Sequence, residues 1–373
     1  MVKVPNVLIV GASISGLAVA ACLQRKGVAY TLIEKAGEVA APWRRHYDRL
    51  HLHTNKRLSG LPYRAWGAGA PRYPSRLEVI AYLEEYRRAF GIEPQFHTEA
   101  LSVRRGGEGW VTETNSGRIE TRFVVMATGV YGKPRAVSFA GQERFSGPIL
   151  HSSEYKTGAD FRGRRVLVVG FGNSACEIAI DLVEQGAAVA MSVRSAVNVI
   201  PRDILGVPVL ELSLLLRYLP PRVADRIAAP LVRGVIGEIS RLGLERMPYG
   251  PIEQIVKDGK PPVLDIGVVR LIREGKVRMF GGLERIEGSM VRFADGRSAE
   301  FDAIVAGIGY EKNVADMVDV ESHRLEDLLV GLDRQQFFGE GGLYFCGYWI
   351  SPTGQIREIA RDAKRIAADI GKR

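Results

Sequence analysis

Short apolar runs closed by glycine, an acid or an arginine set the rhythm of this chain. Val7-Leu8-Ile9-Val10 runs into Gly11-Ala12-Ser13-Ile14-Ser15-Gly16, and an alanine-rich stretch with helical character follows to about Lys26. A second apolar run, Tyr30 to Ile33, stops at Glu34. The same order returns later: Arg165 to Val169, then Gly170-Phe171-Gly172-Asn173-Ser174-Ala175, a helical stretch to about Gln185, and Ala187 to Val193 ending at Arg194. Runs of this length bounded by turn residues predict buried parallel strands, and each set reads as strand, tight turn, helix, strand. Each set is followed by a hairpin and another buried run. Trp110 to Thr114 turns at Asn115-Ser116-Gly117 and leads to Val124 to Gly129; Met290 to Phe293 turns at Asp295-Gly296 and leads to Ala303 to Gly309. Near the C-terminus, Leu343 to Gly347 predicts one more buried strand. Ile356, Ile359, Ala360, Ala363, Ile366, Ala367 and Ile370 then share one face of a helix that starts at Thr353-Gly354.

The two turns carry the candidate chemistry. Glycines let the chain reverse sharply and bring the first N–H groups of the helix up to a pyrophosphate, where the helix dipole favours negative charge. Glu34 stands where a carboxylate accepts hydrogen bonds from an adenosine ribose, and Ser13 takes the place of a middle glycine. After the second turn that position is Arg194, which suits a 2′-phosphate, so the second site is expected to take NADPH. The first site is then expected to hold the flavin that NADPH reduces. A solvated strand end is the plainer reading of Arg194. The N-terminus of the last helix offers unpaired N–H groups that would stabilise a reduced, anionic flavin; simple docking of an amphipathic helix is the alternative.

The remaining features mostly exclude. At 373 residues and 46% hydrophobic, the chain is long enough for two packed domains, and its 25% charged content argues against disorder. The formal charge of +9 is scattered without a cationic block, so no nucleic-acid partner is expected. Cys22, Cys176 and Cys346 lie far apart, with neither a redox pair nor zinc spacing. The apolar stretch Val207 to Leu219 is interrupted by Glu211 and Arg217, so no membrane span and no membrane partner are expected, and the chain reads as cytoplasmic. His51-Leu52-His53 puts two imidazoles on one strand face without a nearby acid or cysteine, and no metal is expected.

With these motifs in place, the sequence resembles the class B flavin-containing monooxygenases, and within them the YUCCA-type indole-3-pyruvate monooxygenases. Phe145-Ser-Gly147-Pro-Ile-Leu-His151-Ser-Ser-Glu-Tyr155 fits the family signature FxGxxxHxxx(Y/F). Similarity extends over Trp43 to Pro62, Arg72 to Arg76, Gly170 to Ala175, Val193-Arg194, Ile200 to Arg202 and Gly259 to Gly267. The chain departs at Ser13, at Gly307-Ile308-Gly309 where the family usually shows Ala-Thr-Gly, and through Asp203 to Gly250.

The resemblance implies an α/β fold with two Rossmann-like dinucleotide-binding domains. The expected FAD domain is 1–148 plus 298–373, and the NADPH domain is 149–297 with a helical insertion at about 203–250. Carried over by position, Gly11, Ser13, Gly16, Glu34, Lys35, Trp43, Arg44, Thr128, Gly129, Gly347 and Gln355 would surround FAD. Gly170, Gly172, Asn173, Ser174, Arg194 and Arg202 would surround NADPH, and Thr54-Asn55 would lie near the flavin and nicotinamide. Asn55, His151 and Tyr155 are the catalytic candidates, with His151 favoured as an organiser of the inter-domain linker. The implied reaction is NADPH reduction of the flavin, formation of a C4a-(hydro)peroxide with O2, and oxygenation of a small substrate. That substrate is either an aromatic α-keto acid, with Arg44, Arg45, Lys56 and Arg57 as candidate carboxylate partners, or a sulfur or nitrogen nucleophile. Two other readings stay open: an NADPH-dependent flavin reductase serving a quinone or protein, and a non-enzymatic redox sensor. A homodimer is also left open.

Overall fold

The computed structural model describes residues 6–311, 314–319 and 339–373. Two parallel sheets organise it. The first has the order Tyr30–Ile33, Val7–Val10, Phe123–Met126, Leu343–Phe345, with every pair parallel. Both central strands are wholly buried because each face is covered, as parallel strands require. On one face lie helices Ile14–Gln24, Arg76–Ala89 and Gln355–Ile370, packed into a single apolar core. On the other lies a three-stranded antiparallel sheet, Ala100–Gly106, Gly109–Thr114 and Gly117–Thr121, which contributes Val103 and Trp110.

The second sheet has the order Val277–Phe280, Ala188–Ser192, Arg165–Val169, Ala303–Ala306, Ile149–His151, again all parallel. Helix Asn173–Glu184 packs on one face with Val166, Val168 and Val305. The antiparallel strands Leu283–Glu287, Met290–Phe293 and Ser298–Glu300 cover the other through Phe280, Phe293 and Phe301. The two expected hairpins are therefore both three-stranded. The sequence pattern missed the leading strand of each, Ala100–Gly106 and Leu283–Glu287, because their exposed arginines and glutamates mask the alternation.

Strand pairing moves one expected domain boundary. Ser298–Glu300 pairs with Met290–Phe293, and Ala303–Ala306 lies between Arg165–Val169 and Ile149–His151. Both were expected in the first domain from residue 298 onward; their hydrogen bonds put them in the second. Among the described residues the chain returns to the first sheet at Leu343–Phe345.

The insertion is helical as expected, with Val209–Leu216 and Pro221–Ile236, and a further helix, Pro251–Asp258, follows it. Its leucines do not form a cluster of their own, since Leu215 and Leu219 are exposed. Among the described residues, no helix is long and apolar enough to cross a membrane.

Candidate functional site

The first glycine turn is built by close approach. Gly11 has φ +103°, and a Cβ there would sit 2.9 Å from the Ala127 carbonyl oxygen. A Cβ at Gly16 would sit 1.8 Å from the Gly11 oxygen, so only glycine lets the helix start directly beneath the turn. Ser13 precedes that helix with extended backbone (φ −112°), a conformation open to any residue, and its hydroxyl makes no capping bond. The serine is therefore sterically compatible with the turn and lines the adjoining cavity.

That cavity, about 370 Å³, is also lined by Gly11, Glu34, Lys35 and Thr128. Glu34 is buried, and its two oxygens accept the Ala12 N–H at 2.7 Å and the Ala36 N–H at 2.9 Å. The acid thus ties the end of its strand to the glycine turn while presenting its remaining lone pairs to the cavity. Lys35 is half exposed and reaches Glu99 at 3.8 Å. Thr128 Oγ1 lies 2.6 Å from the Tyr348 hydroxyl, and burial pushes that phenol above its ordinary value.

At the other end, Gly347 has φ +87°, and a Cβ there would meet Ser15 Oγ at 2.3 Å. Gln355 donates from Nε2 to the Gly347 carbonyl at 2.9 Å, and its buried Oε1 has no partner among the described residues. Gly354, at the start of the last helix, supplies no side-chain cap for the first N–H groups of that helix. Thr54 abuts Gly354, and its hydroxyl pairs with Ser59 at 2.6 Å.

Several expected residues lie elsewhere. Arg44 is held by Glu38 at 2.9 Å and by Glu84, so its neighbours Arg45 and His46 face the cavity in its place. Helix Ala41–Arg45 is too short for its phase to be read from sequence. Trp43 packs against the first core rather than lining the cavity. Ser153 and Tyr310 also line the cavity, and no sequence signal had marked them.

The second turn repeats the first. Gly170 has φ +110°, and a Cβ there would meet the Gly307 oxygen at 2.5 Å; one at Gly307 would meet Ala175 Cβ at 2.7 Å. The sequence's departure at Gly307-Ile308-Gly309 is thereby explained: Gly307 lets this strand end pass close to the helix start. A Cβ at Gly172 would meet nothing within 4 Å, so the mouth of the turn is open. Asn173 was expected to face a nucleotide. Its side chain is instead occupied, accepting the Leu264 N–H at 2.8 Å and donating to the Pro262 carbonyl at 3.2 Å. Arg194 is exposed and has no ion pair among the described residues, whereas Arg202 lies over the Tyr73 ring at 4.1 Å and pairs with Asp203.

The catalytic candidates separate clearly. His151 is buried; its Nε2 donates to the Gly309 carbonyl at 3.0 Å, and its Nδ1 accepts from the Ser153 hydroxyl at 2.8 Å. Facing a carbonyl fixes the proton on Nε2, so this imidazole clamps the linker strand to the Gly309 loop. Tyr155 is 1% exposed and donates its only proton to Asp181 at 2.6 Å. The catalytic expectation for Tyr155 is corrected on that ground: it belongs to the core beside helix Asn173–Glu184.

Asn55 is also buried, but it reaches a second cavity of about 370 Å³, lined by Lys56, Arg57, Arg72, Val207 and Glu211 among others. Its Oδ1 accepts the Leu58 N–H at 3.1 Å and its Nδ2 donates to Glu211. Ser213 Oγ lies 2.7 Å from both the Leu210 and the Pro352 carbonyls, so its one proton is shared between its own helix and the Pro352 loop, where the insertion meets the loop before the last helix.

The two units are joined through a buried carboxylate. Glu177, in the helix that follows the second turn, accepts from the Tyr47 hydroxyl at 3.0 Å and lies 3.2 Å from His53 Nε2 and 3.6 Å from Arg49. His51 turns instead to the Arg49 carbonyl at 2.5 Å, so the two imidazoles take separate partners.

Two glycine turns of one build, the first closed by a carboxylate and the second followed by an arginine with no ion pair among the described residues, fit the class that the comparisons show, an NADPH-dependent flavoprotein oxidoreductase that uses FAD. Residues 8–203 match the family described as pyridine nucleotide-disulphide oxidoreductase. The chain belongs to that family and, within it, to the YUCCA-type flavin-containing monooxygenases. It is 38% identical over 379 residues to indole-3-pyruvate monooxygenase YUCCA6 of Arabidopsis thaliana, covering 98% of this chain and 90% of the relative. It is 37% identical to indole-3-pyruvate monooxygenase YUCCA1 of Oryza sativa subsp. japonica, covering 98% and 91%. The fold is shared with an oxidised steroid monooxygenase bound to NADP (TM-score 0.77, 18% identity, covering 98% and 85%). It is also shared with the bacillithiol disulfide reductase of Bacillus cereus (TM-score 0.69, 18% identity, covering 99% of each chain).

Proposed function

We propose that this monooxygenase oxidatively decarboxylates an aromatic α-keto acid in the cleft beneath the helical insertion. The balanced reaction takes R–CO–COO⁻, O2, NADPH and H⁺ to R–COO⁻, CO2, NADP⁺ and water. The C–C bond to the carboxylate breaks, one oxygen atom enters the new acid, and the other leaves as water. The observation that carries the reading is the excess of cations around Asn55: Lys56, Arg57 and Arg72 line this cavity against the single acid Glu211, which lies 3.5 Å from Arg57. A substrate carboxylate placed there gains charge-assisted hydrogen bonds. The relatives' names point to the same substrate class.

In this reading Gly11, Ser13, Gly16 and Glu34 hold the FAD pyrophosphate and ribose, with Arg45 and Lys35 at the cavity wall. The partnerless Gln355 Oε1 and the uncapped start of the last helix fit the polar edge of a flavin. Gly170, Gly172 and Arg194 hold NADPH. When bound, the flavin passes the electrons of NADPH to O2, and so little acid–base machinery is required of the protein. The chain orients the two nucleotides through Glu177, and the insertion shields the cleft from water through the Ser213–Pro352 and Asn55–Glu211 contacts.

Glu211 favours a second reading. A carboxylate next to Asn55 suits a substrate ammonium, which is the chemistry of nitrogen oxygenation. Disulfide reduction is disfavoured, since Cys22, Cys176 and Cys346 are each buried and outside any disulfide, and burial pushes the Cys22 thiol up to about 11. The test is NADPH oxidation with indole-3-pyruvate, scored as indole-3-acetate formed per NADPH consumed. A ratio near one supports the proposal. A ratio near zero, with an amine or thioether oxygenated in its place, overturns it.

A further inference from the structure

Exposed apolar side chains recur along the helical insertion, from helix Val209–Leu216 through the turn at Leu219 and along helix Pro221–Ile236. Leu215, Leu219, Val223, Ile227, Leu231 and Val235 recur at every fourth residue, and their exposure ranges from 38% (Leu219) to 77% (Leu215). Tyr218, 81% exposed, stands beside the row. Surface helices ordinarily turn such a stripe inward. Here the inner face of Pro221–Ile236 is fixed by other means. Ala224 and Ile236 are buried, and Asp225 accepts the N–H groups of Ile252 and Glu253 at 2.9 and 2.8 Å. The helix is therefore locked with its aliphatic edge facing outward.

The charge on this face has one sign. From Leu212 to Ile236 the only acid is Asp225, which is buried, while Arg217, Arg222, Arg226 and Arg233 are exposed. Arg222 bonds Glu253, but Arg226 and Arg233 have no ion pair among the described residues. A second copy packed on this row would bring arginine against arginine, and the nearest exposed acid along the chain, Glu238 beyond the end of the helix, already faces Arg246 at 3.6 Å. An anionic layer meets both features at once.

We propose that this face seats on an anionic phospholipid bilayer. The six aliphatic side chains enter the boundary between headgroups and acyl chains, the arginines take the lipid phosphates, and Tyr218 sits at the interface. The protein lies on the membrane and does not span it. The insertion that makes this contact also lends Gly206, Val207 and Glu211 to the cleft, so lipid contact and substrate entry share one element.

The experiment is flotation of the full-length holoprotein with extruded vesicles of phosphatidylcholine alone, or of phosphatidylcholine with about one quarter phosphatidylglycerol. Binding is expected only to the anionic vesicles and should fall steeply in high salt. Arg226→Gln with Arg233→Gln should lower the partition coefficient by roughly 25-fold, from about five-fold per charge near the surface. Ile227→Asp with Leu231→Asp should abolish binding. Because all four positions are exposed, flavin content and NADPH oxidation should stay at wild-type levels, which separates lost lipid contact from misfolding. Equal binding to both vesicle types, no binding to either, or binding that survives both pairs of substitutions would overturn the proposal. So would a dimer in sedimentation velocity that Ile227→Asp with Leu231→Asp converts to a monomer, which would assign the row to a second copy.

Discussion

Arg194→Ala is expected to shift cofactor preference without harming the fold. The side chain is exposed beyond strand Ala188–Ser192, and no carboxylate pairs with it among the described residues, so its removal leaves no orphaned partner. Its backbone rests against Gly282, where a Cβ would come within 2.8 Å of Arg194 Cβ; that contact survives in alanine and keeps the loop in place. The loss is then confined to whatever the guanidinium meets. A hydrogen bond to a charged group contributes about 1.5–3 kcal/mol, and solvent screening at an exposed site favours the lower end. That corresponds to a rise of about ten-fold in the KM for NADPH, with the KM for NADH nearly unchanged. Stopped-flow reduction of the flavin by each nucleotide isolates this step from oxygen chemistry. The NADPH effect should also shrink as salt rises, because a 2′-phosphate contact at the surface is screened. Equal losses with both nucleotides, or no loss with either, would refute the assignment of this turn to the 2′-phosphate.

The other predictions concern single side chains. Ser13→Gly should bind FAD at least as tightly as wild type, whereas Ser13→Leu, projecting a branched chain into the cavity, should purify largely without flavin; the flavin-to-protein absorbance ratio decides. Tyr155→Phe removes the hydrogen bond to Asp181, which keeps the Gly158 N–H at 2.8 Å. It should lower unfolding stability by about 1–2 kcal/mol in urea titrations while leaving kcat within two-fold. A large fall in kcat with unchanged stability would restore Tyr155 as a catalytic residue.

The glycine turns were legible in the sequence because their constraint is local. Gly11, Gly16 and Gly170 are required by backbone contacts that a Cβ would violate, and the neighbouring strands and helices follow from the same short patterns. Residues whose partners lie far along the chain were not legible. Asn173 spends its amide on Leu264 and Pro262, and Ala303–Ala306 finds its neighbours in Arg165–Val169 and Ile149–His151. A uniformly apolar strand carries no mark of which sheet it will join. The exchange of Arg44 for Arg45 at the cavity has a different cause. Adjacent residues on a short helix point in different directions, and Glu38 and Glu84 decide which arginine is withdrawn. Glu211 escaped because it lies in the segment least similar to the family, and only the folded insertion brings it to Asn55.

The interleaving of the two sheets has a consequence for how the protein is made. Among the described residues, the strands of the second sheet lie between residues 149 and 306, so a ribosome has released them before the first sheet receives its last strand, Leu343–Phe345. Until then helix Ile14–Gln24, buried from Ser15 to Leu23 in the finished protein, lacks the cover of Ile356, Ile359, Ala363 and Ile366. The first unit to begin synthesis is thus the last to close, and its nascent form exposes an apolar helix for most of translation. Overproduced chains interrupted before Leu343 should accordingly aggregate, and a chaperone that holds the N-terminal segment should raise the yield of flavin-loaded protein more than one that acts after release.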